Sequence, residues 1–83
     1  MTQGERKFKN LGYEKDEENI LGITYRRTNK SKEERIVFTK EGNIIPGMMQ
    51  GINEYNKRIS MDELSAINSV VRELRNIGYF KKE

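Results

Sequence analysis

The chain has 83 residues, of which 34% are hydrophobic and 35% are charged, and its formal net charge at pH 7 is +3. This length fits one domain with a thin core, because such a chain buries only about 60–65% of the surface that its unfolded form exposes. It contains neither cysteine nor histidine, which excludes disulfide bonds, thiolate metal sites and the usual general base near neutral pH. Small secreted domains usually need disulfides, so we expect a soluble, cytoplasmic protein.

The N-terminal region is polar and basic, and Phe8 is the only large apolar side chain beyond Met1 in residues 1–10. Untethered termini are usually poorly ordered. We therefore expect a mobile arm over residues 1–12 and a single small α+β domain over residues 13–83. The acidic run at residues 14–18 predicts a solvated turn or sheet edge.

Two strands are predicted by the pattern that follows. Leu21, Ile23 and Tyr25 alternate with small or polar residues, which is the two-residue period of a half-buried strand. After a polar loop, residues 35–40 are β-branched and aromatic and carry apolar side chains on both faces, which favours a central strand.

A third strand is predicted to begin at Ile44 and Ile45, after a turn signal at residues 41–43. Pro46 has no N–H to donate, so this strand lies at an edge or bulges there. Residues 50–58 fit either a short strand or a loose loop.

The C-terminal third predicts a helix over about residues 61–77. Ser60 and Glu63 have the spacing of a capping box, apolar residues then recur at intervals of three and four, and Gly78 suits a left-handed C-terminal cap. The predicted fold class is α+β, a small antiparallel sheet of three to four strands with one C-terminal amphipathic helix packed on one face.

No constellation of catalytic side chains is recognisable. The neighbouring carboxylates, Glu17 with Glu18 and Asp62 with Glu63, fit structural roles, and no glycine-rich loop has the residues that cradle a phosphate. We expect no enzymatic activity, no catalytic residue, no metal or cofactor and no small-molecule substrate. No apolar run reaches membrane-spanning length, so we expect no membrane partner.

A basic surface is predicted on the first hairpin, where six bases stand against two acids between residues 24 and 40. A two-stranded ribbon fits the DNA major groove, and small three-stranded sheets with a C-terminal helix bind DNA in some recombinases. The alternative is a solvated edge whose charges prevent unwanted strand pairing. The candidate nucleic-acid contacts are Arg26, Arg27, Lys30, Lys32 and Arg35.

An apolar surface is predicted at Met48, Met49 and Ile52, which follow Pro46 on the expected edge strand. Methionines fill irregular gaps in cores but also line adaptable binding surfaces. These residues therefore either contact the core or the N-terminal arm, or they bind a protein partner or a second copy of the chain.

Residues 59–79 carry a set of matches to one group of proteins: Ile59, Ser60, Met61, Glu63, Leu64, Ala66, Ile67, Asn68, Leu74, Gly78 and Tyr79. This ending resembles that of short uncharacterised accessory proteins of phages and prophages of Gram-positive bacteria, and the placement of residues 13–15 and 18–20 is similar too. The chain departs from them at Ile77, where leucine is usual, and in its basic tail, Lys81 and Lys82. The resemblance implies a small accessory protein of a mobile element and transfers no active site.

The sequence thus leaves two hypotheses. The first is a non-catalytic interaction protein that binds a protein partner or itself through an open sheet face or the apolar edge. The second is a small DNA-binding module that uses the basic hairpin.

Overall fold

The computed structural model describes residues 1–16, 18, 20 and 22–80. Five residues named above lie outside this part of the chain: Glu17, Asn19, Leu21, Lys81 and Lys82. Within it, the elements in chain order are α1 (Gln3–Asn10), β1 (Glu14–Lys15), β2 (Gly22–Asn29), β3 (Lys32–Thr39), β4 (Ile44–Gln50), β5 (Asn53–Tyr55) and α2 (Met61–Asn76). Neither helix combines the length and apolar character needed to cross a membrane, within the residues described.

The N-terminus forms helix α1 in place of the expected mobile arm. Thr2 caps the helix, since its hydroxyl accepts a hydrogen bond from the Glu5 N–H at 3.2 Å. Phe8 is fully buried, and its ring stacks on Tyr25 with centroids 4.3 Å apart. This large aromatic side chain anchors the short helix in the core of the domain.

The sheet is an antiparallel meander in which each strand pairs with its neighbours in sequence, in the order β1-β2-β3-β4-β5. The α+β class and the antiparallel sheet are thus confirmed, with five strands instead of three to four. The two additional strands are the short edge strands, β1 in the acidic run and β5 in the ambiguous segment 50–58. A turn at Gly51, whose φ is 61°, connects β4 to β5.

Pro46 lies in the part of β4 that forms an edge of the sheet, as the sequence predicted. It is opposite Ile36 of β3, whereas β5 pairs only with Met48, Met49 and Gln50 of β4. At Pro46 the strand therefore has a neighbour on one side only, and the missing N–H disrupts little of the ladder.

Both helices pack on the same face of the sheet and enclose one core. The capping box of Ser60 and Glu63 is confirmed, and Gly78 has the positive φ, 70°, of a left-handed C-terminal cap. Ten buried apolar side chains from the two helices, the α1–β1 connection and the central strands form the core: Phe8, Tyr13, Ile23, Tyr25, Ile36, Phe38, Ala66, Ile67, Val70 and Leu74. The opposite face of the sheet is left without a covering element in the described chain.

Candidate functional site

The uncovered side of the sheet, here called the bare face, is defined by the pairing register. Directly opposed residues of antiparallel strands share a face. Ile36 and Phe38 point into the core, so their neighbours on β3 point outward together with the residues opposite them. The bare face carries Glu14, Thr24, Arg26, Thr28, Glu33, Arg35, Val37, Ile45, Gly47, Met49 and Glu54.

An apolar strip runs across the bare face and consists of Val37, Ile45 and Met49. Val37 lies opposite Ile45, which is 53% exposed, while Val37 and Met49 are half-buried. Gly47 separates Ile45 from Met49, and a Cβ added there would meet no atom within 4 Å. The strip therefore contains a gap of side-chain size between two apolar groups.

Two arginines of the predicted basic surface lie beside this strip. Arg26 and Arg35 are directly opposed on the bare face, and both pair with Glu33, at 3.3 and 2.9 Å. Arg26 also approaches Asp16 at 3.6 Å. With Glu14 and Glu54 on the same face, carboxylates outnumber the two arginines, so this surface does not present a net positive charge.

The remaining candidate nucleic-acid contacts do not join Arg26 and Arg35. Arg27 has the opposite orientation, towards the core, where its Nε lies 2.6 Å from a Glu34 carboxylate oxygen. Lys30 and Lys32 lie at the tip of the β2–β3 hairpin, where Lys30 has a positive φ of 55°. The structure thus distributes the five predicted residues over three places.

The predicted apolar residues are separated in the same way. Met48 lies opposite Glu34 and Tyr55 on the inner side of the sheet, whereas Met49 lies on the bare face. Ile52 occupies the β4–β5 turn and is 96% exposed. Sequence reasoning missed Ile45 as a partner of Met49, because only the register between β3 and β4 brings the two together with Val37.

A buried polar cluster occupies one end of the core and consists of Tyr13, Arg27, Glu34, Lys57 and Glu63. Lys57 joins both carboxylates, at 2.7 Å to Glu63 and 2.9 Å to Glu34, and the side chains of Lys57 and Glu63 are each only 5% exposed. The Tyr13 hydroxyl donates to Glu63, and the Arg27 guanidinium lies 4.5 Å from the centre of the Tyr13 ring. Two bases balance two acids, as a buried ionic cluster requires.

Opposing effects set the pKa values in this cluster. Burial alone raises the pKa of Glu63, but hydrogen bonds from Lys57, Tyr13 and the Ser60 backbone and side chain outweigh burial and lower it to about 2. Burial, followed by the hydrogen bond to Glu63, raises the pKa of Tyr13. The polar side chains of the cluster are engaged with one another, so the arrangement ties the β5–α2 loop and the hairpin to α2.

No group of three acidic side chains that could hold a metal ion occurs among the described residues. No protein-family model matches the chain, and no curated protein or solved structure shows significant similarity to it. The resemblance to phage and prophage accessory proteins therefore stays a prediction, and only the geometry of the chain itself bears on its function.

Proposed function

We propose that the chain is a non-catalytic interaction domain that binds a protein through its bare face. The apolar strip of Val37, Ile45 and Met49 is the observation that carries this proposal. An antiparallel sheet with one solvated face normally alternates apolar side chains towards the core with polar ones towards water. β4 departs from that pattern at Ile45, which exposes half of its surface.

The dimensions of the face suit an interface of modest size. Strands spaced about 4.8 Å apart give five strands a width on the order of 20 Å. The longest strands, β2 and β3, are about 26 Å long, and the edge strands β1 and β5 are shorter. The resulting area is on the order of 500 Å², near the lower end of specific interfaces, which bury about 800 Å² per partner. Burying an isoleucine side chain contributes about 1.5–3 kcal/mol, so the strip supplies the anchor of a weak or transient complex.

The charges around the strip favour a protein over a nucleic acid on this face. Arg26 and Arg35 are ion-paired with carboxylates, and the surplus of acids repels a phosphate backbone. The hairpin as a DNA-binding element therefore has less support than the interaction domain. An interaction role also agrees with the resemblance of residues 59–79 to small phage accessory proteins.

The test compares two matched variants, Ile45→Ser and Ile52→Ser. Both remove an exposed isoleucine, but Ile52 lies in the β4–β5 turn and outside the bare face. Sedimentation velocity over a range of concentrations detects self-association, and affinity capture with each variant as bait detects a heterologous partner. We expect Ile45→Ser to abolish the association and Ile52→Ser to retain it.

Two results would contradict the proposal. One is a wild-type protein that stays monomeric and captures no partner. The other is an association that both variants weaken equally, because a general loss of apolar surface would then explain it.

A further inference from the structure

Bases without an ion pair occur on the helices and also off them, where Lys30, Lys32, Lys40 and Arg58 have none among the described residues. Within the described chain, five basic side chains of α1 and α2 make no ion pair: Arg6, Lys7, Lys9, Arg72 and Arg75. All ion pairs of the described residues are made by five other bases: Lys15, Arg26, Arg27, Arg35 and Lys57. Much of the unpaired positive charge is therefore on the helices, on the side of the domain opposite the bare face.

Four of these bases lie on the side shared by the two helices, here called the helix face and defined by Arg6, Lys7, Arg72 and Arg75. Lys9 is on the other side of α1, where it lines a pocket with Glu5 and Glu14. Along α2 the exposed positions recur at intervals of three and four, which places Arg72 and Arg75 on the solvent side. On α1, Arg6 is exposed in the same way.

Lys7 connects the two helices. Its Nζ donates to the Ser65 Oγ at 3.1 Å and to the Ser69 Oγ at 2.9 Å. Lys7 also lines a groove of about 310 Å³ between the helices, together with Met61, Leu64, Ser65, Asn68, Ser69 and Arg72. Its partners in the groove are neutral hydroxyls, so the positive charge of Lys7 is not compensated there.

The acids of the two helices leave part of this charge uncompensated. Glu5 is paired with Lys15, Glu63 belongs to the buried polar cluster, and Glu73 accepts hydrogen bonds from the Gly4 N–H. Asp62 is the one exposed acid of α2 in the described chain. The four bases of the helix face stand against the charges of Asp62 and Glu73, and this surplus produces a local positive potential that attracts a polyanion.

We propose that the helix face binds the phosphate backbone of a nucleic-acid duplex. Lysine, arginine, serine and asparagine side chains are the groups that donate to backbone phosphates, and Lys7, Arg72, Ser65 and Asn68 bring these four types to one groove. The helix face and its groove contain no aromatic ring on which an unpaired base could stack, which favours a duplex over a single strand. Charges distributed over two helices suit a partner with regularly repeated charges. The affinity therefore depends on contacts with the phosphate backbone and not on the base sequence.

This inference is independent of the proposed protein-binding face. It also differs from the basic-hairpin hypothesis, since Arg26 and Arg35 are ion-paired and the helix-face bases are not. Each contacted phosphate lowers the slope of log K against log salt by about 0.9, so the number of participating bases can be measured directly.

The experiment is a fluorescence anisotropy titration of a labelled, mixed-sequence DNA duplex at several salt concentrations. Wild type is compared with Arg72→Ala/Arg75→Ala and with Arg26→Ala/Arg35→Ala, which removes the same number of charges from the bare face. We expect wild type to bind at low salt, the helix-face double variant to reduce the salt slope by about 1.8, and the bare-face double variant to leave it unchanged. All four arginines are exposed, and circular dichroism checks that each variant is folded.

Three results would overturn the proposal. The first is no binding by wild type even at low salt. The second is a loss in the bare-face variant as large as in the helix-face variant, which would return the site to the hairpin. The third is competition by polyglutamate of equal charge as effective as that by unlabelled duplex, which would point to an acidic protein as the partner.

Discussion

The buried polar cluster makes the stability of the domain depend on pH. The substitution Glu63→Gln isolates the contribution of the Glu63 carboxylate, which is the largest in the cluster. Glu63 accepts from Lys57, from the Tyr13 hydroxyl and from the Ser60 N–H. These contacts stabilise the ionised carboxylate in the folded state and hold its pKa at about 2, compared with the usual value of 4.5. Glutamine keeps the shape of the side chain and removes the charge.

The expected magnitude follows from that difference in pKa. A pKa difference of one unit corresponds to about 1.4 kcal/mol, so the ionised Glu63 contributes about 3 kcal/mol to the free energy of unfolding. Because the pKa is lower in the folded state, this contribution is complete above the unfolded-state pKa and is lost as the pH falls towards 2. A domain of this length has a total stability on the order of 4–12 kcal/mol, so the loss is a substantial fraction.

The assay is urea unfolding of wild type and Glu63→Gln, followed by circular dichroism between pH 6 and pH 2.5. We expect the variant to be less stable by about 3 kcal/mol at pH 6 and by about 1 kcal/mol or less at pH 2.5. Glu34, whose pKa is lowered chiefly by its hydrogen bond with Arg27, leaves a smaller pH dependence in both proteins. Glu54→Gln, an exposed carboxylate without an ion pair among the described residues, serves as the control and should follow wild type.

A difference between wild type and Glu63→Gln that stays constant from pH 6 to pH 2.5 would refute this reasoning. The variant would then have lost packing or helix capping, both of which are independent of the charge on the carboxylate.

The other stability predictions concern the N-terminal helix and use the same urea assay. Phe8→Ala should lower the free energy of unfolding by about 3–5 kcal/mol, because Phe8 is fully buried; a loss below about 1 kcal/mol would mean that α1 is a dispensable arm. Gly4→Ala should lower it by about 1–3 kcal/mol, because the added Cβ would lie 2.6 Å from the Val70 side chain on α2. Gly47→Ala, where the added Cβ meets no atom within 4 Å, is the matched control and should change stability by less than about 0.5 kcal/mol.

The elements that were predictable from the sequence are those whose signals are local. The capping box of Ser60 and Glu63 lies within four residues, and it correctly placed the start of α2. The alternation around Ile23 and Tyr25 and in residues 35–40 identified β2 and β3. Helix α1 was not predicted, because its stability depends on the contact of Phe8 with Tyr25, and these two residues are far apart in sequence.

The sequence does contain a pattern that predicts the core-facing orientation of Arg27. Arg27 has the same parity on β2 as Ile23 and Tyr25, and Glu34 has the same parity on β3 as Ile36 and Phe38. Alternation therefore predicts both charged side chains on the core face, where each compensates the charge of the other.

The apolar strip required a different kind of information. Alternation placed Val37 on the face of its strand opposite Ile36 and Phe38, but Ile45 joins it only through the β3–β4 register. Sequence alternation gives the face of a residue relative to its own strand, whereas a patch that crosses strands depends on how the strands are aligned.

The distribution of charge separates the two proposed surfaces and makes their independence testable. Arg26 and Arg35 of the bare face are ion-paired with carboxylates, whereas the bases of the helix face are not, and the two surfaces lie on opposite sides of one core. No shared side chain connects Ile45 to Arg72, so binding at one surface should not change the affinity of the other. We therefore expect Ile45→Ser to bind the DNA duplex with the salt slope of wild type, and Arg72→Ala/Arg75→Ala to retain the protein association that Ile45→Ser abolishes. A variant of either surface that weakened both activities would show that they form a single site.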